Sequence, residues 1–274
     1  MFRIDDPTAA TSLPVPEAAG TEGYFTEGNP TAGTPATNVR GSWLNMIQEE
    51  LRAVVVAGGL TPSKTTYTQV RDAVKAMAGF RNIAAAASST TFNVPSWCSL
   101  IKCRVWGGGG GGGGTNGASA AASGGNGGGY TEGVFSVTPG QVLTLTVGVG
   151  GTAGVAGGNG GTGGTSSVGA LCSATGGGGG IGINSGSAAG NTTTFGTGSG
   201  GVANVIGQGA SSGFLFGTSY AGSQGGGAFC APPSPFALGR AGYNGLFPGG
   251  AGSGAAGGNF IGGPGAGGFV IIEY

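Results

Sequence analysis

Gly107 to Gly114 is an uninterrupted run of eight glycines, and it opens a 170-residue stretch, Val105 to Tyr274, that holds 61 glycines and only three charged side chains. That is roughly five times the usual glycine content of about 7%. An ordinary side-chain core cannot be built from it, because glycine brings nothing to bury and gives up the most backbone entropy on ordering. The three charges are Glu132, Arg240 and Glu273, and the whole chain lacks histidine. Proton shuttling and metal ligation therefore lose their commonest side chain. Binding or structure is favoured over catalysis, and no enzyme activity, cofactor or metal is expected.

Such a stretch reads either as a flexible linker or as a close-packed array of threads. Ile181, Ile183, Phe195, Val202, Val205, Ile206, Phe214, Leu215, Phe216, Tyr220 and Phe229 interrupt the glycines, and linkers seldom interleave so much apolar surface. Glycine also lets extended backbones approach closely enough to bond each other's N–H and C=O groups. Competing glycine architectures fall on specific residues. A collagen register is broken by the eight-glycine run, calcium-binding glycine repeats need aspartates that do not occur after Asp72, and a phosphate-binding loop needs a lysine, none of which follows Lys102. Glu132 and Glu273 would have to line one cleft to act as a glycosidase pair, and no base serves the many serines and threonines.

The first 104 residues have ordinary charge density. Residues 1–39 hold Pro7, Pro14, Pro16, Pro30 and Pro35 and read as an extended, acidic arm. Its apolar anchors Phe2, Ile4, Leu13, Val15, Tyr24 and Phe25 favour ordering against a partner over a solvated leader. Ser42 is the expected N-cap of a helix from Trp43 to Ala57, stopped by Gly58-Gly59. A second helix, Tyr67 to Met77, is announced by Thr66 and Gln69 as a capping box. Two short helices have little core to bury alone, so they read as a hairpin or as self-association around a shared axis.

From Thr91 the apolar period becomes that of a strand. Ile101, Cys103 and Val105 alternate with Lys102 and Arg104. Phe135 and Val137 precede a Pro139-Gly140 turn into Leu143, Leu145 and Val147, and Phe269 to Tyr274 is β-prone. These pieces are expected to meet in one small sheet from which the glycine threads leave and return. Cys98, Cys103, Cys172 and Cys230 contain no Cys-x-x-Cys pair and read as small buried residues. The start of the chain has no apolar signal region, the longest apolar run is too short to span a bilayer, and the neutral second half offers nothing to a polyanion. Neither membrane insertion nor nucleic acid is expected.

Gly41-Ser42-Trp43-Leu44-Asn45, Gln48-Glu49-Glu50-Leu51 and Ala57-Gly58-Gly59-Leu60-Thr61-Pro62-Ser63-Lys64 resemble a module of tailed-bacteriophage tail fibres. Val105-Trp106 before the glycine run, Gly133 to Gln141, Gly148-Val149-Gly150-Gly151 and the closing Phe269 to Tyr274 resemble the glycine-rich terminal domain of phage fibres and adhesins. The resemblance implies a mixed fold in three parts: an extended attachment arm at 1–39, a helical module at 40–90 forming a trimeric bundle, and a glycine-rich all-β, polyglycine-II-like receptor-binding domain with a small β base at 91–274. It further implies a homotrimeric virion protein, assembled in the host cytoplasm, whose arm docks on a tail or baseplate protein and whose distal domain binds a bacterial surface saccharide or a pilus. The receptor residues are expected in the aromatic-rich segment: Phe214, Phe216, Tyr220, Gln224, Phe229, Phe236, Arg240, Tyr243, Asn244 and Phe247, with rings to stack on sugars and amides to bond hydroxyls. Arg240 is free to pair with an acidic ligand, or with Glu132 or Glu273. The alternative from another class is a glycine-rich structural or ice-binding protein.

Overall fold

A computed structural model describes residues 1–79, 82–184, 187–216 and 219–274. The chain divides into two compact units, 1–79 and 80–274. The sequence placed this boundary at 90. It falls earlier because Ile83–Ala86 pairs with the C-terminal strand and so belongs to the second unit.

In the first unit the arm is extended, apart from a short turn at Pro30–Ala32, and it leads into α1, Gly41–Ala57, and α2, Gln69–Met77. The arm lies along these helices. Arg3 forks onto the Glu49 carboxylate at 2.6 and 2.7 Å, Lys64 reaches Asp5 at 2.6 Å, and Phe25 meets Trp43 edge-on at 4.9 Å. Both expected caps are corrected. Arg40 occupies the N-cap of α1 without a side-chain bond, while the Ser42 hydroxyl donates to Glu17 at 2.8 Å. Thr68, not Thr66, precedes α2. Gln69 is buried, so its amide serves the loop backbone, accepting from Ser63 N–H at 2.9 Å and donating to Thr61 C=O at 2.7 Å. The stop at Gly58-Gly59 holds, with Gly59 at φ +75. Gly58 also lets the helices touch, since a Cβ there would lie 2.5 Å from Ala73 Cα.

The second unit begins with a β base. Its strands are β1 Ile83–Ala86, β2 Thr90–Asn93, β3 Leu100–Trp106, β4 Tyr130–Ser136, β5 Val142–Thr146, β6 Ser166–Val168, β7 Cys172–Ala174, β8 Gly198–Ser199, β9 Ala203–Val205 and β10 Phe269–Glu273. They form two five-stranded antiparallel sheets, ordered β1-β10-β3-β4-β9 and β8-β7-β6-β5-β2. The base is therefore two sheets, not one, because β6 to β9 are only two or three residues long and leave no readable alternation. The inward residues face one another across it: Ile101, Cys103, Val105, Val270 and Ile272 from the first sheet, Leu143, Leu145 and Val168 from the second. Three cysteines are buried as expected. Cys230 is exposed, in a turn at φ +63.

The glycine run leaves β3 and becomes the axis of a lattice. Its N–H groups at 107, 110 and 113 donate to the carbonyls of Gly129, Asn126 and Ser123. Those at 108, 111 and 114 donate to Gly164, Gly161 and Gly158, and those at 109 and 112 to Ala266 and Gly263, all at 2.7–2.9 Å. The carbonyls repeat the pattern. Residues 108, 111 and 114 accept from Gly177, Gly180 and Ile183, residues 109 and 112 from Gly151 and Gly154, and residues 110 and 113 from Gly252 and Ala255. One thread is thus bonded to six neighbours with a three-residue period. A Cβ at any glycine of the run would fall well inside the contact distance of a neighbouring carbonyl. This supplies the physical reason for the run.

Buried polar side chains mend this lattice. Ser123, Ser166, Ser234 and Ser253 hydroxyls accept the backbone N–H of Ile181, Gly148, Gly225 and Tyr243 at 2.7–3.1 Å, and Ser223 accepts that of Gly124. Asn126, fully buried, reaches Thr192 C=O at 3.0 Å and Thr194 C=O at 2.9 Å through Nδ2 and accepts Ala210 N–H at 2.9 Å through Oδ1. It replaces a missing stretch of main chain with one amide. Among the described residues no helix is long and apolar enough to cross a membrane.

Candidate functional site

The hydrogen-bond register gives each lattice residue a height above the β base. Gly107 and Gly129 lie at the base, Gly114 and Gly158 near the far end. There the threads turn through short pairings of Thr115–Asn116 with Ile183–Asn184 and Asn259–Phe260. The aromatic segment 214–247 runs up and down this lattice, so its residues are distributed over three places.

The first place is an outer face. Phe214 and Phe236, each about 40% exposed, meet edge-on with centroids 6.0 Å apart. They stand on threads flanking the one that carries Gln224, because Phe214 pairs with Ala221 and Ala221 bridges Leu238. Gln224 is exposed, and its N–H donates to Ser211 Oγ at 3.2 Å. Tyr220 is half-buried opposite Leu215. The side chain of Phe216 lies outside what is described.

The second place is Arg240, in the connection between two threads near the far end. Its guanidinium lies 4.8 Å from the Tyr243 ring centre, and Nη1 donates to Tyr243 Oη at 2.9 Å. Tyr243 thereby fixes the direction of a cation that could otherwise swing freely. Asn244 is exposed beside it. The carboxylates that could have neutralised Arg240 are occupied elsewhere. Glu132 pairs with Lys102 at 2.8 Å and Glu273 with Arg104 at 2.7 Å, both on the outer surface of the first sheet. Hydrogen bonds from Lys102 and then Tyr130 hold Glu132 below the usual carboxylate range. Among the described residues no carboxylate pairs with Arg240.

The third place holds Phe229 and Phe247, which are 42% and 53% exposed. Both end a ladder of rings at the base of the lattice. Phe229 stacks on Tyr130 at 4.2 Å, Tyr130 lies 4.8 Å from Trp106, Trp106 5.9 Å from Phe269, and Phe269 5.1 Å from Phe247. Trp106 Nε1 also donates to Phe229 C=O at 2.8 Å. These two rings brace the lattice on the sheet. Burial, followed by the hydrogen bond to Glu132, pushes the Tyr130 phenol above its ordinary range.

One surface escaped the sequence reading. Val149, Thr152 and Val155 on one thread, and Asn159, Thr162 and Thr165 on the next, are all exposed. Their three-residue spacing matches the turn of the thread, about 9 Å per row step. The signal was available in the segments 148–155 and 158–165, where these positions are not glycine.

The family described as a glycine-rich domain matches residues 84–274. The chain is also 42% identical over 77 residues to the uncharacterized protein StfP of Escherichia coli (strain K12), a match covering 28% of this chain and 35% of StfP. The matched chain thus spans about a third of the length of that relative.

Proposed function

We propose that this chain, which belongs to the glycine-rich domain family, is a tail-fibre component of a tailed bacteriophage that attaches the virion to its host by binding alone. The observation that carries this reading is the lattice itself. A neutral array bonded through its main chain is a stiff, polyglycine-II-like support, and it presents an aromatic pair with an amide on one face and an oriented cation near its far end. Rings stack on sugar faces and Arg240 suits an acidic substituent, so a bacterial surface saccharide is the receptor that fits better than a pilus. Residues 1–39 dock on a tail or baseplate protein. Self-association, as a homotrimer, is supported by the helical unit, whose fully buried apolar side chains among the described residues are Val55 and Ala73, while Leu44, Met46, Val56, Val74 and Met77 stay about half exposed.

The test is binding of the purified chain to host cells before and after their surface polysaccharide is stripped. Loss on stripping is expected, and Arg240→Ala lowers adsorption with unchanged folding. Equal binding to stripped cells refutes the saccharide receptor, and equal adsorption by Arg240→Ala removes that residue from the site. A second reading, ice binding, is favoured by the regular rows of Val149, Thr152, Val155, Asn159, Thr162 and Thr165. Slowed ice recrystallisation by the purified protein would establish it.

A further inference from the structure

An open β-sheet offers unpaired N–H and C=O groups along each edge, and proteins that remain separate guard those edges with charges, proline or a covering segment. Among the described residues, neither edge strand of the sheet β1-β10-β3-β4-β9 carries a charged or proline guard. Asn82-Ile83-Ala84-Ala85-Ala86 and Val202-Ala203-Asn204-Val205-Ile206 contain no charged residue and no proline. They are also exposed, Ile83 at 70%, Val202 at 92% and Ile206 at 64%.

The register identifies which groups are free. Asn82 and Tyr274 exchange both backbone bonds at 2.9 Å, so the antiparallel alternation turns Ala84 and Ala86 into the ladder with β10 and leaves the N–H and C=O of Ile83 and Ala85 on the open side. The five strands alternate in direction, so the two edge strands run the same way. Rotation of a copy about an axis along the strands therefore brings its β9 beside β1 of the next copy, in parallel. Such a contact is head-to-tail, and repetition generates a ring when the rotation closes.

We propose that β1 of one copy pairs with β9 of a second copy, so that the β base is itself an assembly surface of this protein. The occupant is a second copy because the same sheet supplies both halves of the contact, uncharged and in matching direction. This goes beyond the helical self-association above and does not depend on it.

Amide exchange in the full chain tests it. Ile83 and Ala85 are expected to exchange at least about tenfold more slowly than free-edge amides, and Val205→Lys, which charges the other edge, is expected to abolish that protection. Ala85→Pro removes an N–H that points away from the ladder, so it should leave thermal unfolding unchanged while losing association through the base. Mixing the two variants should restore protection of Ile83 in the Val205→Lys chain, since each variant retains one intact edge. Free-edge exchange at Ile83 and Ala85 in a chain that still associates overturns the proposal and leaves the helical assembly standing. Protection that survives Val205→Lys overturns it as well.

Discussion

Gly125→Ala tests whether backbone contact, and not a side-chain core, holds the lattice. A Cβ at Gly125 would lie 2.5 Å from both the carbonyl carbon and oxygen of Gly110, and 2.8 Å from Gly111 O. Ordinary contact requires about 3.4 Å, so the threads 107–114 and 122–129 must separate by roughly 0.9 Å. The bonds from Gly110 N–H to Asn126 and from Gly113 N–H to Ser123, both 2.9 Å, would then stretch beyond useful length. Two such bonds contribute about 1 kcal/mol each, and overpacking costs a further ~1–3 kcal/mol. The reduced freedom of the unfolded chain returns about 0.4–1 kcal/mol, which leaves a net loss of about 2–5 kcal/mol. Gly190 is the control, because nothing lies within 4 Å of a Cβ there, and Gly190→Ala should be neutral or slightly stabilising. Urea unfolding of the full chain, followed by the far-ultraviolet signal and by tryptophan fluorescence, reads both variants. Equal midpoints for Gly125→Ala and Gly190→Ala would refute the close-packed lattice.

Asn126→Ala should destabilise by about 1–3 kcal/mol in the same urea assay, since it strands the buried Ala210 N–H and removes the bonds to the carbonyls of half-buried Thr192 and exposed Thr194. Amide exchange should show Ala210 opening first. The Tyr130 phenol titrates above its ordinary value of about 10 in the folded chain, so between that value and its raised one the unfolded chain binds fewer protons and stability falls as pH rises. Tyr130→Phe should flatten this alkaline slope, and an unchanged slope would assign it to other groups. Glu132 is shifted the opposite way. Its contribution is present above the unfolded carboxylate pKa of about 4.3 and is lost as pH falls through the lower folded value. Glu132→Gln should therefore weaken the acid dependence of the unfolding midpoint, and an unchanged acid limb would rule this carboxylate out.

What could be read in the sequence follows from how many residues carried each signal. The alternation Ile101, Cys103, Val105 and the run Val270 to Ile272 located strands that pair along their lengths, and the Pro139-Gly140 turn appears with Gly140 at φ +80. The helices were legible from their apolar stripes, but their caps were not, because Ser42 and Gln69 had better partners in Glu17, Ser63 and Thr61. The second sheet was hidden in strands too short to alternate. The aromatic segment was treated as one patch because it is contiguous in sequence. The three-residue turn of the threads instead carries Phe229 and Phe247 to the base, leaving Phe214, Phe236 and Gln224 on a face and Arg240 near the far end.

Trp106 and Phe269 stand opposite each other on neighbouring strands, and the whole lattice is spliced between them. Inlet and outlet are side by side, but β4 to β9 lie within the intervening 162 residues, so base and lattice are threaded through one another until β9, after which 206–268 runs to β10 with no base strand among its described residues. Exchange within 206–268, which carries the aromatic segment, would leave every strand of the β base in place. Such an arrangement lets the displayed side chains diversify while the β base stays constant.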